Sequence, residues 1–423
     1  MVKFIHAADI HLDSPLKGLQ RYEGAPEHLQ GATRQAFDNL IELALEEAVD
    51  FLLIAGDLYD GDWRDYSTGL YFVNRMHQLR EANILVFIVR GNHDAASQIT
   101  HQLTLPANVV DFSCQKAETI ILEHLGVAIH GQGFLERAVT ANLSKNYPHP
   151  VPSYFNIGLL HTALDGREGH EPYAPCSISD LVSKGYDYWA LGHVHGREIV
   201  HEKDPWIVYP GNLQGRHVNE TGSKGCTLVT LQDGRVESLT HHTLDVLRWC
   251  KLTIDCANST TPDEVLDLVR SQLQQEISLA QGRILAVRLE LVGASFAHKA
   301  LQSEPERWLN EIRLVLQEVA TDGAWLEKVK FGTTPKRNLD QLAKEHLPIG
   351  FLLSYFTHAE QDLDLIAEIK SEFQILKSKL PADLLCHYPE LNLEDPAILG
   401  EFLRDAKSLI ELALSEEGVA NES

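Results

Sequence analysis

Carboxylate, imidazole and amide side chains recur in five short motifs of this 423-residue chain, and each motif accompanies an apolar segment. In chain order the motifs contain Asp9 and His11, then Asp57, then Asn92, His93 and Asp94, then His161, and finally His193 and His195. Oxygen and imidazole ligands without a thiolate suit Mn²⁺, Fe²⁺ or Zn²⁺. Clusters of such side chains mark metal sites, so we expect one metal centre built from all five motifs.

The apolar segments before the motifs predict buried strands near residues 3–8, 51–56, 84–90, 155–161 and 188–193. Further strands are predicted near 118–122, 127–131, 206–210 and 225–231, and helices near 31–49 and 66–82. Open α/β sheets usually carry their chemistry at the carboxyl ends of strands, where the motifs lie. Alternate residues of an extended segment point to the same side, so Asp9 with His11, and His193 with His195, can each share one ion.

The motif order D-x-H, G-D-x-x-D, G-N-H-D, H and G-H-x-H resembles that of the calcineurin-like metallophosphoesterase superfamily. Within it, His11-Leu12-Asp13-Ser14-Pro15 and Tyr209-Pro210-Gly211-Asn212 resemble the SbcD-type DNA repair exonucleases, especially their YhaO-like branch. The resemblance covers about the first half of the chain. It implies an α/β fold, namely a four-layer α/β/β/α sandwich followed by a small α+β capping domain and a helical tail.

The resemblance also implies a role for each motif residue. It gives one metal ion the ligands Asp9, His11, Asp57 and His195, and the other ion Asp57, Asn92, His161 and His193. Asp57 is the expected bridge, because a carboxylate has two oxygens and can hold two cations about 3.5–4 Å apart. His93 matches the family's catalytic histidine, which is not a ligand. For Asp94 two roles stay open, orienting His93 or a purely structural one.

The composition narrows the class of protein. The chain has 44% hydrophobic and 23% charged residues, which is typical of a soluble globular protein, and no apolar run approaches the ~18 residues of a membrane-spanning helix. The six cysteines form no C-x-x-C pair, so they indicate buried thiols in a reducing cytoplasm. The net charge of −24 argues against tight unaided binding to nucleic acid.

Three regions are predicted along the chain. Residues 1–245, which contain 17 of the 21 histidines, form the phosphoesterase domain. Residues 246–333 alternate strands and helices and are predicted to form the capping domain, and residues 334–423 are predicted to be helical and acidic. The apolar cluster 350–356 and the amphipathic helices near 358–379 and 395–415 pack either on the chain's own second domain or on a partner.

The function predicted from these features is that of a metal-dependent DNA nuclease subunit in DNA repair. The resemblance implies two divalent ions, with Mn²⁺ expected and Fe²⁺, Zn²⁺ or Mg²⁺ as alternatives, and DNA and an SbcC-like ATPase as partners; a homodimer is left open. Asp60 stands where several SbcD-type nucleases have a histidine that contributes to exonuclease activity. This difference counts against the exonuclease mode. Two alternative functions also stay open, a phosphoesterase for a small diester or monoester, and a non-catalytic DNA-associated adaptor.

Overall fold

The structure is a computed structural model. It describes residues 1–16, 31–60, 66–96, 104–164, 173–321, 323–336, 363–377, 379, 395–396 and 398–406. The apolar cluster 350–356 and most of the loop 165–175 after His161 lie outside the described residues. None of the described helices is long and apolar enough to cross a membrane.

Fifteen strands are described. They are β1 (Val2–Ala7), β2 (Phe51–Ala55), β3 (Leu85–Val89), β4 (Val109–Asp111), β5 (Glu118–Leu122), β6 (Val127–Gly131), β7 (Phe155–His161), β8 (Tyr188–Gly192), β9 (Glu198–His201), β10 (Trp206–Tyr209), β11 (Gly225–Gln232), β12 (Arg235–Thr243), β13 (Leu247–Asp255), β14 (Ile284–Ser295) and β15 (Ala324–Pro335). The nine strands predicted for the first half of the chain are confirmed, and β4, β9 and β12 are additional.

Eight α-helices are described. They are α1 (Ala32–Glu46), α2 (Tyr66–Glu81), α3 (Asn92–Ala96), α4 (Ile178–Ser183), α5 (Pro262–Leu279), α6 (His298–Ser303), α7 (Pro305–Ala320) and α8 (Leu363–Lys377). Residues 398–406 are also helical. The two helices predicted in the first half, the alternation of strands and helices predicted for residues 246–333 and the described part of the tail helices are confirmed.

Two six-stranded sheets contain the motif-bearing strands. The first has the order β12-β11-β1-β2-β3-β4, with β1, β2 and β3 mutually parallel, and the second has the order β5-β6-β7-β8-β10-β9, with β7 and β8 parallel. Parallel neighbours end at the same edge of a sheet. The first three motifs therefore emerge side by side from one sheet and the last two from the other.

Alternation along the strands builds a layered sandwich. Phe51 and Leu53 of β2 join a core with residues of β7 and β8, whereas Leu52 and Ile54 join a second core with α1 and α2. Successive side chains of a strand point to opposite faces, so the first sheet is covered by the second sheet on one side and by helices on the other. A third core covers the outer face of the second sheet and includes Leu181 of α4. The observed architecture is the α/β sandwich expected from the motifs.

The rest of the chain adds a three-stranded sheet of order β13-β14-β15 and helices α5–α8. Two compact units are distinguished. The first comprises residues 1–252, 272–288 and 316–328, and the second 253–271, 289–315 and 329–423. Within the second unit, Leu399 is 4% exposed and Lys330 Nζ lies 3.3 Å from Glu401 Oε1. Part of the tail therefore packs on its own unit.

Candidate two-metal site

His161 is the centre of one group of converging acceptor atoms. Its Nδ1 lies 2.9 Å from the carbonyl oxygen of Ala55 and can only donate to it, which leaves Nε2 without a proton. That Nε2 atom faces Asn92 Oδ1 at 3.0 Å and Asp57 Oδ2 at 3.5 Å. Three lone-pair atoms thus point at one another, an arrangement that a cation stabilises and that hydrogen bonding does not.

A second group of acceptors meets the same oxygen of Asp57, Oδ2. His11 Nε2 and His195 Nε2 are 3.3 Å apart, and each lies 3.9 Å from a carboxylate, Asp57 Oδ2 for His11 and Asp9 Oδ1 for His195. His195 Nδ1 lies 2.7 Å from Glu220 Oε1 and donates to it. This bond presents the bare Nε2 of His195 to the site, as is usual for a histidine that binds a metal.

His193 completes the set through its backbone and its ring. Its N–H donates to both oxygens of Asp9, at 3.1 and 3.0 Å, and its ring centroid lies 5.2 Å from that of His161. The structure therefore brings all seven predicted ligand residues to one place. Their assignment to two particular ions stays a prediction.

The donor set fits divalent cations. Three groups of side chains each hold ligand atoms within 4.8 Å of one another: Asp9, His11 and His195; His11, Asp57 and His93; and Asp9, Asp57 and His161. Asp57 belongs to two of these groups, which is what a bridging carboxylate requires. The second group includes His93, which the sequence analysis predicts not to be a ligand.

The two central carboxylates also favour a bound cation. Asp9 and Asp57 are 1% and 2% exposed. Burial, with the charge of Asp57, raises the pKa of Asp9 well above its ordinary value. Burial also raises the pKa of Asp57, but the neighbouring His161, His11 and His93 outweigh burial and lower that pKa to about 2. Two adjacent buried carboxylates repel each other when both are ionised, and a divalent cation between them removes this conflict.

The histidines of the two groups are held in the form that binds metals. Burial, with the charge of Arg216, lowers the pKa of His11 to about 3. Burial also lowers the pKa of His161 and of His195, although the hydrogen bond with Glu220 opposes part of the effect at His195. At neutral pH these rings are therefore neutral, and a neutral imidazole is the form that can act as a ligand.

The ring of His93 is paired with Asp60. His93 Nδ1 lies 2.9 Å from Asp60 Oδ1, and the ring is half-buried. Burial lowers the pKa of His93, but the hydrogen bond with Asp60 and the charges of Asp57 and Asp60 outweigh burial and raise it. His93 is thus more readily protonated than the neighbouring His11.

The carboxylate of Asp94 connects two of the motif loops. It accepts hydrogen bonds from the backbone amides of Gly91, Leu58 and Tyr59, at 2.9, 3.2 and 2.9 Å. These bonds tie the loop that carries Asp57 to the loop that carries Asn92. These bonds support a structural role for Asp94, and the carboxylate that contacts Nδ1 of His93 is that of Asp60.

Backbone strain coincides with the predicted ligands. Asp9, His11, Asp57 and His193 have φ values of 50°, 48°, 51° and 101°. Positive φ is uncommon for residues other than glycine and costs about 1–3 kcal/mol, and it persists where surrounding contacts enforce it. Four of the seven predicted ligands, on three separate motifs, thus have positive φ; ten other non-glycine residues among those described, such as Ala48 and Asn83, share this conformation.

Close backbone approach explains the glycine at the start of the third motif. A Cβ at Gly91 would lie 2.2 Å from Asp57 Oδ1 and 2.7 Å from Asp57 N. Gly91 is therefore needed because the two loops pack against each other.

Sequence reasoning missed Glu220 and Arg216. Both lie in the segment after Tyr209-Pro210-Gly211-Asn212, and Glu220 Oε2 accepts hydrogen bonds from the Arg216 backbone N (2.7 Å) and from Asn212 Nδ2 (2.9 Å). Both residues lie beyond the last motif, and their spacing from the predicted ligands follows no recognisable pattern. The resemblance of the Tyr-Pro-Gly-Asn run to a family motif was the one signal that marked this segment.

Two family models and a relative of known family match this chain. Residues 2–197 match the family model described as calcineurin-like phosphoesterase, and residues 249–334 match the model described as metallophosphoesterase YhaO, middle domain. The metallophosphoesterase YhaO of Bacillus subtilis strain 168 is 36% identical over 319 residues, which cover 74% of this chain and 77% of that protein.

Two further matches are more distant. The DNA double-strand break repair protein Mre11 of Methanopyrus kandleri is 29% identical over 237 residues, which cover 50% of this chain and 48% of Mre11. A dimetal phosphatase from Danio rerio is 12% identical with a TM-score of 0.35, and the match covers 55% of this chain and 93% of that one.

The motif order, the layered fold and the convergent carboxylate and histidine side chains thus agree with the family match and with the extent of the similarity to YhaO. The chain belongs to the calcineurin-like metallophosphoesterase family, in its YhaO-like branch.

Proposed function

We propose that the protein is a two-metal DNA nuclease that hydrolyses phosphodiester bonds, with Mn²⁺ as the metal. The observation that carries the proposal is the convergence of unprotonated acceptor atoms on Asp57 Oδ2, which lies 3.5 Å from His161 Nε2 and 3.9 Å from His11 Nε2. Two divalent ions held by these residues would supply a water nucleophile at neutral pH and would offset the charge of the attacking and leaving oxygens.

The chain's own residues account for the remaining steps. His93 donates a proton to the leaving oxygen or a hydrogen bond to the phosphoryl oxygens, because Asp60 raises its pKa and its ring stays partly accessible. Glu220 orients His195 by accepting from its Nδ1. Asp94 holds the loops that carry Asp57 and Asn92 together through three backbone amides.

DNA is the favoured substrate on two grounds. The similarity to Mre11 covers half of this chain, and that relative is a DNA double-strand break repair protein. The chain also continues beyond the sandwich through the region matched by the YhaO middle domain, where the proposed capping domain of residues 246–333 would help to place DNA, before a proposed partner-binding tail of residues 334–423. A small phosphoester requires neither addition.

A substrate panel tests the proposal. Single-stranded DNA, duplex DNA, bis-p-nitrophenyl phosphate and p-nitrophenyl phosphate are compared with Mn²⁺ and with a chelator, using wild type and the His93→Ala variant purified in parallel. We expect Mn²⁺-dependent cleavage of DNA and of the diester that is lost in the variant. Cleavage by wild type and variant alike would indicate a contaminating nuclease and leave the site without support.

Asp60 favours one alternative, a phosphoesterase for small substrates. The histidine that several SbcD-type nucleases have at this position is replaced by a carboxylate that pairs with His93. Under this alternative the small esters are hydrolysed and both DNA substrates stay intact. Hydrolysis of none of the four substrates would support the non-catalytic adaptor.

We further propose that helix α8 binds an SbcC-like ATPase, which would supply the positive DNA-binding surface that a chain of net charge −24 lacks. Ile366, Ile369 and Phe373 recur at spacings of three and four and are half-buried, so α8 has one apolar face. Co-expression of the full chain with such an ATPase tests this. Phe373→Ala should reduce co-purification, and Gln374→Ala on the exposed face should not; equal recovery of both would reject α8 as the contact.

A further inference from the structure

The side chain of Arg216 lies between two of the motif loops. Its Nη1 atom is 3.4 Å from Ser14 Oγ, which follows the first motif, and 3.6 Å from Asp60 Oδ1, which ends the second. The side chain is 14% exposed, and its buried Nε has no hydrogen-bond partner among the described residues. A guanidinium has five N–H donors, and here at least the Nε donor is unused.

The carboxylate of Asp60 connects Arg216 with the histidines of the proposed reaction centre. Asp60 Oδ1, which faces the guanidinium, is 2.9 Å from His93 Nδ1 and 3.6 Å from His11 Nδ1. The charge of Arg216 also lowers the pKa of His11, after the larger effect of burial. The guanidinium therefore belongs to the electrostatic environment of both histidines.

The segment that carries Arg216 is held firmly. The backbone N of Arg216 donates to Glu220 Oε2 at 2.7 Å, and the other oxygen of Glu220 accepts from His195. On the preceding residue, the carbonyl oxygen of Gly215 accepts from Trp249 Nε1 at 2.9 Å. Arg216 thus starts from a fixed backbone, which lowers the conformational cost of holding its side chain in place.

We propose that Arg216 binds a non-bridging oxygen of the substrate's transferred phosphoryl group. A guanidinium matches phosphate oxygens in planar, charge-assisted geometry, and arginines that contact a transferring phosphoryl group stabilise the charge that develops on it. The unused Nε donor shows that the contacts of the guanidinium with the protein do not occupy all of its donors. The inference rests on the proposed phosphoester hydrolysis and adds a substrate-binding residue to it.

Binding of inorganic phosphate tests the proposal without turnover. Calorimetry on the full-length protein, metal-loaded and chelated, compares wild type with Arg216→Ala, Arg216→Lys and the exposed control Arg235→Ala, which removes the same charge outside the site. We expect Arg216→Ala to weaken phosphate binding by about 10- to 100-fold, since a hydrogen bond to a charged group is lost. Arg216→Lys should show a smaller loss, with metal content unchanged, and Arg235→Ala none.

Kinetics with bis-p-nitrophenyl phosphate supply a second readout. Added guanidinium should restore part of the kcat/KM of Arg216→Ala and have no effect on Arg235→Ala, a response that a merely structural arginine would not give. Unchanged phosphate affinity in both Arg216 variants overturns the inference, even where wild type is active. Weakened phosphate binding beside an inactive wild type would instead reject the proposed hydrolysis and leave the binding role standing. Should Arg216→Ala fail to fold, the phosphate affinity of Arg216→Lys decides.

Discussion

Asp60 Oδ1 lies 2.9 Å from Nδ1 of His93, so a carboxylate at the end of the second motif holds the ring of the third. The charge of Asp60 helps to raise the pKa of His93 above its ordinary value in spite of burial. A protonated His93 is therefore present at higher pH than it would be without this partner. The pair links residues that are far apart in the sequence and is the basis of the first prediction.

Asp60→Asn should move the fall in activity at alkaline pH to lower pH. The substitution keeps an oxygen that can accept from His93 Nδ1 but removes the charge, so the pKa of His93 falls. If the protonated ring is the active form, activity is lost as pH rises through the pKa of His93. In the variant this loss therefore occurs at lower pH than in wild type. At pH 7.5 we also expect about a 10- to 100-fold loss of kcat, as for other residues that orient a functional group.

Two measurements test this prediction. One is the pH profile of kcat with bis-p-nitrophenyl phosphate, and the other is an NMR titration of the His93 ring in metal-free protein. Asp233→Asn, which removes one charge at an exposed turn between β11 and β12, is the matched control. A ring pKa that is the same in Asp60→Asn and in wild type would refute the pairing as the cause of the shift.

His93→Ala should abolish turnover and leave the metal content intact. Loss of a residue that transfers a proton or stabilises developing charge typically costs about 10²–10⁴-fold in rate. Metal per chain is counted by elemental analysis beside the activity assay, with the exposed His124→Ala as the control. Because His93 also lies within 4.8 Å of ligand atoms of His11 and Asp57, loss of metal together with activity would make it a ligand.

Asp57→Ala should remove both metal ions, whereas His11→Ala should mainly weaken one. Asp57 Oδ2 faces both His161 Nε2 and His11 Nε2, so loss of Asp57 affects both proposed sites, and His11 contributes to a single one. Metal titration of the two variants measures the stoichiometry, and circular dichroism confirms that each is folded. Equal losses in the two variants would rule out Asp57 as the bridge.

Glu220→Gln should weaken the metal site that contains His195. Glu220 Oε1 accepts from His195 Nδ1 at 2.7 Å, and residues that orient a histidine ligand in this way usually contribute about 10- to 100-fold to metal affinity. Competition with a chelator measures the affinity, and Glu237→Gln on the exposed side of β12 is the control. If the variant retains wild-type affinity, the orientation of His195 does not depend on Glu220.

Much of the fold is readable from local patterns. Alternation along β2 separates Phe51 and Leu53 from Leu52 and Ile54, so a buried strand and its two covered faces follow from the residue types alone. Five motifs with metal-binding side chains were recognisable for a related reason. Each accompanies a strand, and parallel strands bring their carboxyl ends to a common edge. The choice of the seven predicted ligands among these side chains comes from the family resemblance.

Contacts that depend on the packing of distant loops were not readable. Asp94 is adjacent to His93 in the chain, but Nδ1 of the His93 ring lies against Asp60. The carboxylate of Asp94 accepts hydrogen bonds from three backbone amides. Neighbours in sequence within a short helix such as α3 point in different directions, so adjacency did not predict contact. Likewise, nothing in the spacing between Arg216 and Ser14 indicates that they meet.

The sequence by itself determined which side chains could bind metal and which strands present them, because both follow from residue type and local periodicity. The tertiary structure decided which carboxylate orients which histidine, Asp60 for His93 and Glu220 for His195. It also decided that Arg216 faces the site. These partners come from different loops, and the packing of the two sheets sets the few ångströms between them.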